Sequence, residues 1–114
     1  MKISVKETHD SYILALKGEL DASSSLLLDE EVAKAMKVGK PFLLIDCQEL
    51  QYISSTGLGV FISNMQDLRR RNMKLVLYQV SPKIKDVFTI LGLEPFLTFA
   101  DCSVSAYNAC LIEN

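Results

Sequence analysis

Hydrophobic positions change period repeatedly along this chain, and the changes mark its elements. Ile3 and Val5 alternate with polar neighbours, as on an edge strand. His9-Asp10-Ser11 reads as a hairpin turn, and Tyr12, Leu14 and Leu16 then face one way along a second strand that closes at Gly18. So short a link between strands requires an antiparallel pair. Asp21 and the serines Ser23, Ser24 and Ser25 are helix-starting residues, and Leu28, Val32, Ala35 and Met36 recur at helical spacing until Gly39 and Pro41. Phe42 to Ile45 is an unbroken apolar run, the mark of a central strand covered on both faces.

A short loop is expected after Asp46, presenting the hydroxyls Ser54, Ser55 and Thr56. A helix then starts near Ser55 or Thr56, with Leu58, Phe61, Ile62, Met65 and Leu68 as its buried stripe and Asn72 as a left-handed cap. Leu75 to Tyr78 form another strand. Ser81-Pro82 opens a short helix carrying Ile84, Val87, Phe88 and Leu91, which Gly92 ends. Phe96 to Phe99 read as a last strand, and Asp101 as the cap of a final helix carrying Val104, Tyr107 and Leu111. The predicted order is β-β-α-β-α-β-α-β-α. It implies one α/β domain over residues 1–114, with a mixed four- to five-stranded sheet and about four helices, mainly on one face.

Composition narrows the function. Hydrophobic residues make up 49% of 114 positions, enough for a single core. The net charge of −2 and the lack of a basic stripe speak against a nucleic-acid surface. The run Arg69-Arg70-Arg71 falls at a predicted helix C-terminus, where it complements the dipole. No apolar run approaches the ~20 residues that span a bilayer. The N-terminus alternates like a strand and is no signal peptide, so a cytoplasmic location is expected. Cys47, Cys102 and Cys110 lack metal-ligand spacing and are expected as reduced thiols. Neither a metal nor another cofactor is expected.

Candidate chemistry concentrates at the three hydroxyls. A hydroxyl at a helix N-terminus lies among free N–H groups, where a dianionic phosphate is tolerated. Gly57 and Gly59 carry no side chains and would let another protein approach closely, with Leu58 between them as an apolar contact. Glu19, Asp21 and Asp46 are expected at neighbouring loop ends, where an added phosphate would deepen a negative field. The same residues also read as ordinary helix capping. His9-Asp10-Ser11 cannot form a triad from adjacent turn positions. The glycines lack the lysine and spacing of a phosphate-binding loop. Catalysis by this chain is not expected.

Several segments together resemble one family. Gly18-Glu19-Leu20-Asp21, Asp46 through Leu50, Ile53-Ser54-Ser55-Thr56-Gly57-Leu58-Gly59-Val60 and Leu91-Gly92-Leu93 followed by Phe96 occur in the order and spacing of a STAS domain, specifically a stand-alone bacterial anti-sigma factor antagonist. The resemblance covers essentially the whole chain. It implies binding, in the unphosphorylated form, to an anti-sigma factor that is also a GHKL-type serine kinase. It further implies inactivation by serine phosphorylation and reactivation by a PP2C-type phosphatase. Carried over, the acceptor is Ser55, with Ser54 and Thr56 as neighbouring alternatives. Asp21, Ser54, Thr56, Gly57, Leu58 and Gly59 fall on the partner-binding surface. Many members carry Asp where this chain has Ser54, which removes a charge and leaves two adjacent serines. A second reading keeps the fold and makes the chain a cytoplasmic accessory subunit of a membrane transporter. A third is an enzyme or nucleotide-binding module built on the same loop, although no general base or metal cluster accompanies the serines.

Overall fold

Strand β1 (Lys2–Glu7) pairs antiparallel with β2 (Ser11–Leu20), Val5 opposite Leu14, and the remaining strands extend this hairpin in parallel. The computed structural model describes residues 1–111, so the last three positions of the predicted 1–114 domain lie outside the described residues. After β2 come α1 (Ser25–Val38), β3 (Phe42–Ile53), α2 (Ser55–Arg70), β4 (Lys74–Tyr78) and α3 (Pro82–Ile90). A 3-10 turn (Glu94–Phe96), β5 (Thr98–Ala100) and α4 (Ser103–Leu111) complete the order. The five strands lie in the sequence β1-β2-β3-β4-β5. Element order, mixed sheet and helix number follow the predicted pattern.

That strand order dictates where the helices go. Each β–α–β step moves one strand onward in the same direction, so right-handed crossovers put α1, α2 and α3 on one face. Leu14, Leu16, Leu43, Ile45 and Leu77 meet Leu28 and Val32 of α1, Leu58 and Phe61 of α2, and Ile84 and Phe88 of α3. On the opposite face Leu44, Val76 and Tyr78 meet Ala106 and Cys110 of α4. β3 is therefore apolar at successive positions because both of its faces are covered.

Two strands run further than the hydrophobic pattern indicates. β2 does not close at Gly18, and β3 does not stop at Asp46 but continues to Ile53. Their pairing slips between Ala15 and Lys17 and again between Gly18 and Glu19, with one extra residue on β3 at each slip. The bulges bring Cys47, Leu50 and Ile53, three positions apart, to the core side. An apolar period of three looks like neither strand nor helix, which is why this segment reads as a loop. Gly18 sits at the second slip with φ +104, a conformation that favours glycine.

The C-terminal elements also differ in detail. Pro95 and Phe96 belong to the 3-10 turn, so β5 begins at Thr98 rather than Phe96. Helix α4 buries Ala106 and Cys110 and leaves Val104 and Leu111 exposed, because small residues let it lie close on the sheet. Tyr107 is half-buried, edge-on to the Phe42 ring at 5.5 Å, and its hydroxyl donates to the Asp10 carboxylate. The first turn is organised by Ser105, whose Oγ accepts the Cys102 N–H at 3.0 Å, rather than by Asp101.

Candidate functional site

The C-terminal ends of β2 and β3 lie side by side, and each feeds a helix. The Ser54 N–H donates to the Leu20 carbonyl at 2.8 Å, which joins the two strand ends directly. Ser54 is the N-cap of α2, with extended backbone (φ −91, ψ 167), and its Oγ accepts the Gly57 N–H at 3.1 Å. Its carbonyl also accepts the Leu58 N–H at 3.0 Å. The Ser54 hydroxyl is thus held by the helix it starts.

Ser55 is the first residue of α2 and is exposed. Among the described residues its hydroxyl has no hydrogen-bond partner. Thr56 is exposed as well. The first N–H groups of a helix have no intrahelical acceptor and carry partial positive charge. A phosphoryl group on Ser55 would therefore sit at the favourable end of α2 without displacing a bond that the fold uses.

The glycines have different tasks. Gly57 is buried, and a Cβ there would stand 2.7 Å from Leu20 Cγ and 3.0 Å from Leu20 O. Glycine at this position lets the end of β2 cross the first turn of α2; it does not leave room for a visiting protein. Leu58 is 0% exposed and belongs to the core, so its side chain is not the apolar contact expected from the sequence. Gly59 is exposed, a Cβ there would meet nothing within 4 Å, and it alone of the three offers an open surface.

Asp21 organises the loop leading into α1. Its Oδ1 accepts from the Ser23 hydroxyl at 2.8 Å and from the Ser24 N–H at 3.0 Å. The Ser24 Oγ accepts the Asp21 N–H at 3.0 Å and lies 3.0 Å from both Glu19 O and Asp21 Oδ1. The Ser23 hydroxyl, followed by the Ser24 N–H, holds the Asp21 carboxyl below the usual carboxylate range. Asp46 does not join this cluster. The extension of β3 leaves it in mid-strand, paired in register with Ala15 and Tyr78. There, after burial, its charge is the next cause pushing the Tyr78 phenol up to about 12.

A groove of about 320 Å³ runs between the N-terminal ends of α1 and α2, lined by Leu26, Asp29, Thr56, Gly59, Val60 and Ser63 among others. Asn64 spans the two helices, donating to Asp29 Oδ1 at 2.9 Å and to Val60 O at 2.8 Å. Leu26 stands at the rim, 65% exposed. Sequence reasoning missed it, although the run Leu26-Leu27-Leu28 held the signal: three successive leucines on a helix cannot all face one core. Only Leu28 does.

Other polar groups are placed elsewhere. His9 lies in the β1–β2 turn, where its carbonyl accepts from Lys40 Nζ at 3.2 Å, and Asp10 is engaged by Tyr107. Among the described residues no three His, Cys, Asp or Glu side chains are grouped to hold a metal ion, and no helix is long and apolar enough to cross a membrane. Cys47 and Cys110 are buried free thiols, pushed up to about 12 and about 11 by burial.

Residues 2–106 match the STAS domain family. The chain belongs to that family. It is 33% identical over 98 residues to the anti-sigma-B factor antagonist of Listeria monocytogenes, covering 85% of this chain and 86% of that one. Among solved structures, the unphosphorylated form of the anti-sigma factor antagonist SpoIIAA superposes with a TM-score of 0.79 at 22% identity, covering 99% of this chain and all 100% of the other. An anti-sigma factor antagonist from Mycobacterium paratuberculosis superposes with a TM-score of 0.87 at 16% identity, covering 97% and 94%. At these identities the two structures establish the STAS fold of this chain.

Proposed function

We propose that this chain is an anti-sigma factor antagonist whose bare Ser55 hydroxyl permits binding to an anti-sigma factor and whose phosphorylation ends it. The observation that carries this reading is the contrast between neighbouring serines. Ser54 Oγ is held by Gly57 N–H, whereas Ser55 is exposed at the start of α2 and its Oγ has no partner among the described residues. Of the two, Ser55 is the hydroxyl that an enzyme can reach and modify at no cost to the helix cap. Among the described residues no histidine or metal cluster accompanies it, which suits an acceptor acted on by another protein.

The partner is an anti-sigma factor that is itself a GHKL-type serine kinase. Ser55 Oγ attacks the γ-phosphorus of the kinase's ATP, ADP leaves, and the hydroxyl proton passes to a base of the kinase. A PP2C-type phosphatase removes the phosphoryl group. The added phosphate carries nearly two negative charges at neutral pH. It would face the phosphates of the nucleotide held by the kinase, beside the carboxylates of Glu19 and Asp21 on this chain. Like charges in a closing interface repel, so the complex dissociates. Support comes from the Listeria monocytogenes relative, named for antagonism of an anti-sigma-B factor.

The test is incubation with the purified GHKL-type anti-sigma factor of the same organism and MgATP, followed by intact-mass measurement and site mapping. One phosphoryl group on Ser55, absent from Ser55→Ala, is expected. Label on Ser54 or Thr56 moves the site; no binding and no label overturns the reading.

A further inference from the structure

A groove of about 540 Å³ lies on the molecule near the C-terminal end of α2, away from Ser55 at the N-terminal end of the same helix. Strand lengths create it. β4 has five residues, but β5 pairs only with Val76, Leu77 and Tyr78, so Lys74 and Leu75 have no strand beside them on that side. The 3-10 turn passes there instead, and Phe96 remains 58% exposed.

Its lining is mixed: Met65 from α2, Met73 and Leu75 from the start of β4, and Phe96 and Leu97 at the end of the turn supply apolar side chains, beside the polar Arg69, Lys74 and Thr98. Among the described residues the charged side chains on the lining are Arg69 and Lys74, and no carboxylate joins them. The Lys74 ammonium donates to Cys110 O at 3.0 Å, but among the described residues the Arg69 guanidinium has no acceptor. A second depression of about 400 Å³ shares Arg69, Met73 and Lys74 with the groove, so the basic side chains border both. The last carbonyls of α2 do not counter this charge strongly. Asp67 O, Leu68 O and Arg69 O accept from the N–H groups of Arg71, Met73 and Asn72 at 2.9–3.1 Å.

We propose that this groove binds a small anionic amphiphile, a free medium-chain carboxylate, with its chain against Met65, Met73, Leu75, Phe96 and Leu97 and its carboxylate on the Arg69 guanidinium. The volume falls in the range of small-molecule sites, about 300–1,000 Å³. A guanidinium presents paired N–H groups that match a carboxylate in two parallel bonds. Pliable methionines and an exposed aromatic ring accommodate a flexible chain. This site is independent of the switch: it uses none of the residues around Ser55.

Octanoate titrated into the full chain and followed by amide NMR tests the proposal, with 1-octanol and octylammonium as probes of the head group. Saturable shifts confined to the groove residues are expected. Arg69→Gln should weaken octanoate at least fivefold and leave octanol unchanged, and Phe96→Ala should weaken both. Arg69 and Phe96 are exposed, so neither variant threatens the fold. No saturable shift, shifts centred on Ser54–Gly59, equal binding of octylammonium, or groove shifts that follow protein concentration alone would each overturn it.

Discussion

The Ser54 hydroxyl accepts the Gly57 N–H at 3.1 Å, and this one bond separates two serines that look equivalent in the sequence. Removing an N-cap side chain costs about 1 kcal/mol. Ser54→Ala is therefore expected to lower stability by that amount while leaving Ser55 open to phosphorylation. Ser55→Ala is expected to change stability by no more than about 0.5 kcal/mol, as at other exposed sites. Paired denaturation curves and phosphosite maps check both, and the reverse pattern would exchange the roles of the two serines.

Ser55→Asp places a charge where the phosphate would stand. Its single charge is smaller than that of a phosphoseryl group. It is expected to weaken binding to the anti-sigma factor at least tenfold without lowering the unfolding transition, since a negative charge at the start of α2 is favourable. Calorimetric titration reads the first and thermal denaturation the second. Wild-type affinity in the Asp variant would remove the charge-based account of the switch.

Gly57 tests the packing between β2 and α2. A Cβ added there meets Leu20 Cγ at 2.7 Å and Leu20 O at 3.0 Å. Overpacking of this kind costs about 1–3 kcal/mol, and the gain in helix propensity from alanine is at most about 1 kcal/mol. Gly57→Ala is thus expected to destabilise by about 1 kcal/mol net. Gly59→Ala, with open space around the new methyl, is expected to be neutral or stabilising in the same urea titration.

Much of this architecture was legible where one period persisted. The stripe of α2 through Phe61 and Leu68, the Ser81-Pro82 start of α3 and the left-handed Asn72 (φ 58) all follow from local rules. Legibility failed where tertiary structure overrode the period. The two bulges on β3 turned strand into apparent loop, and the extension of that strand left Asp46 paired with Ala15 and Tyr78 rather than at a loop end. The hydroxyl motif marked the candidate site, but the motif alone could not say that Gly57 and Leu58 are buried while Gly59 is exposed. That depends on which strand end crosses the helix, a fact of topology. Helix α4 misled for another reason: its buried face is small rather than large.

Tyr78 predicts an alkaline limit to stability. Burial, then the charge of Asp46, raises its phenol from 10.0 to about 12. In the pH interval between these values the unfolded chain has lost a proton that the folded chain retains, so stability falls as pH rises. The contribution is fully present below pH 10 and lost by about 12. Cys47, raised from 9.0 to about 12 by burial, acts in the same direction from a lower pH. Tyr78→Phe is expected to flatten the upper part of the stability–pH curve and Cys47→Ala the lower part. Unchanged slopes would mean that these groups ionise without unfolding.

Leu26 carries the sharpest prediction about the partner. It is 65% exposed at the groove that also contains Gly59, Val60 and Thr56, the residue that follows Ser55. An exposed leucine in a helix contributes little to folding, and alanine has the higher helix propensity. Leu26→Ala should therefore leave stability within about 0.5 kcal/mol of wild type. If the anti-sigma factor covers this groove, the loss of a buried apolar contact of roughly 1.5–3 kcal/mol weakens binding by about one to two orders of magnitude. Ser55 should still be phosphorylated at saturating kinase, because the acceptor hydroxyl is untouched. Titration of both variants against the same anti-sigma factor separates affinity from gating. Wild-type affinity in Leu26→Ala, with Ser55→Asp still excluded, would place the partner on the Asp21 side of Ser55 instead.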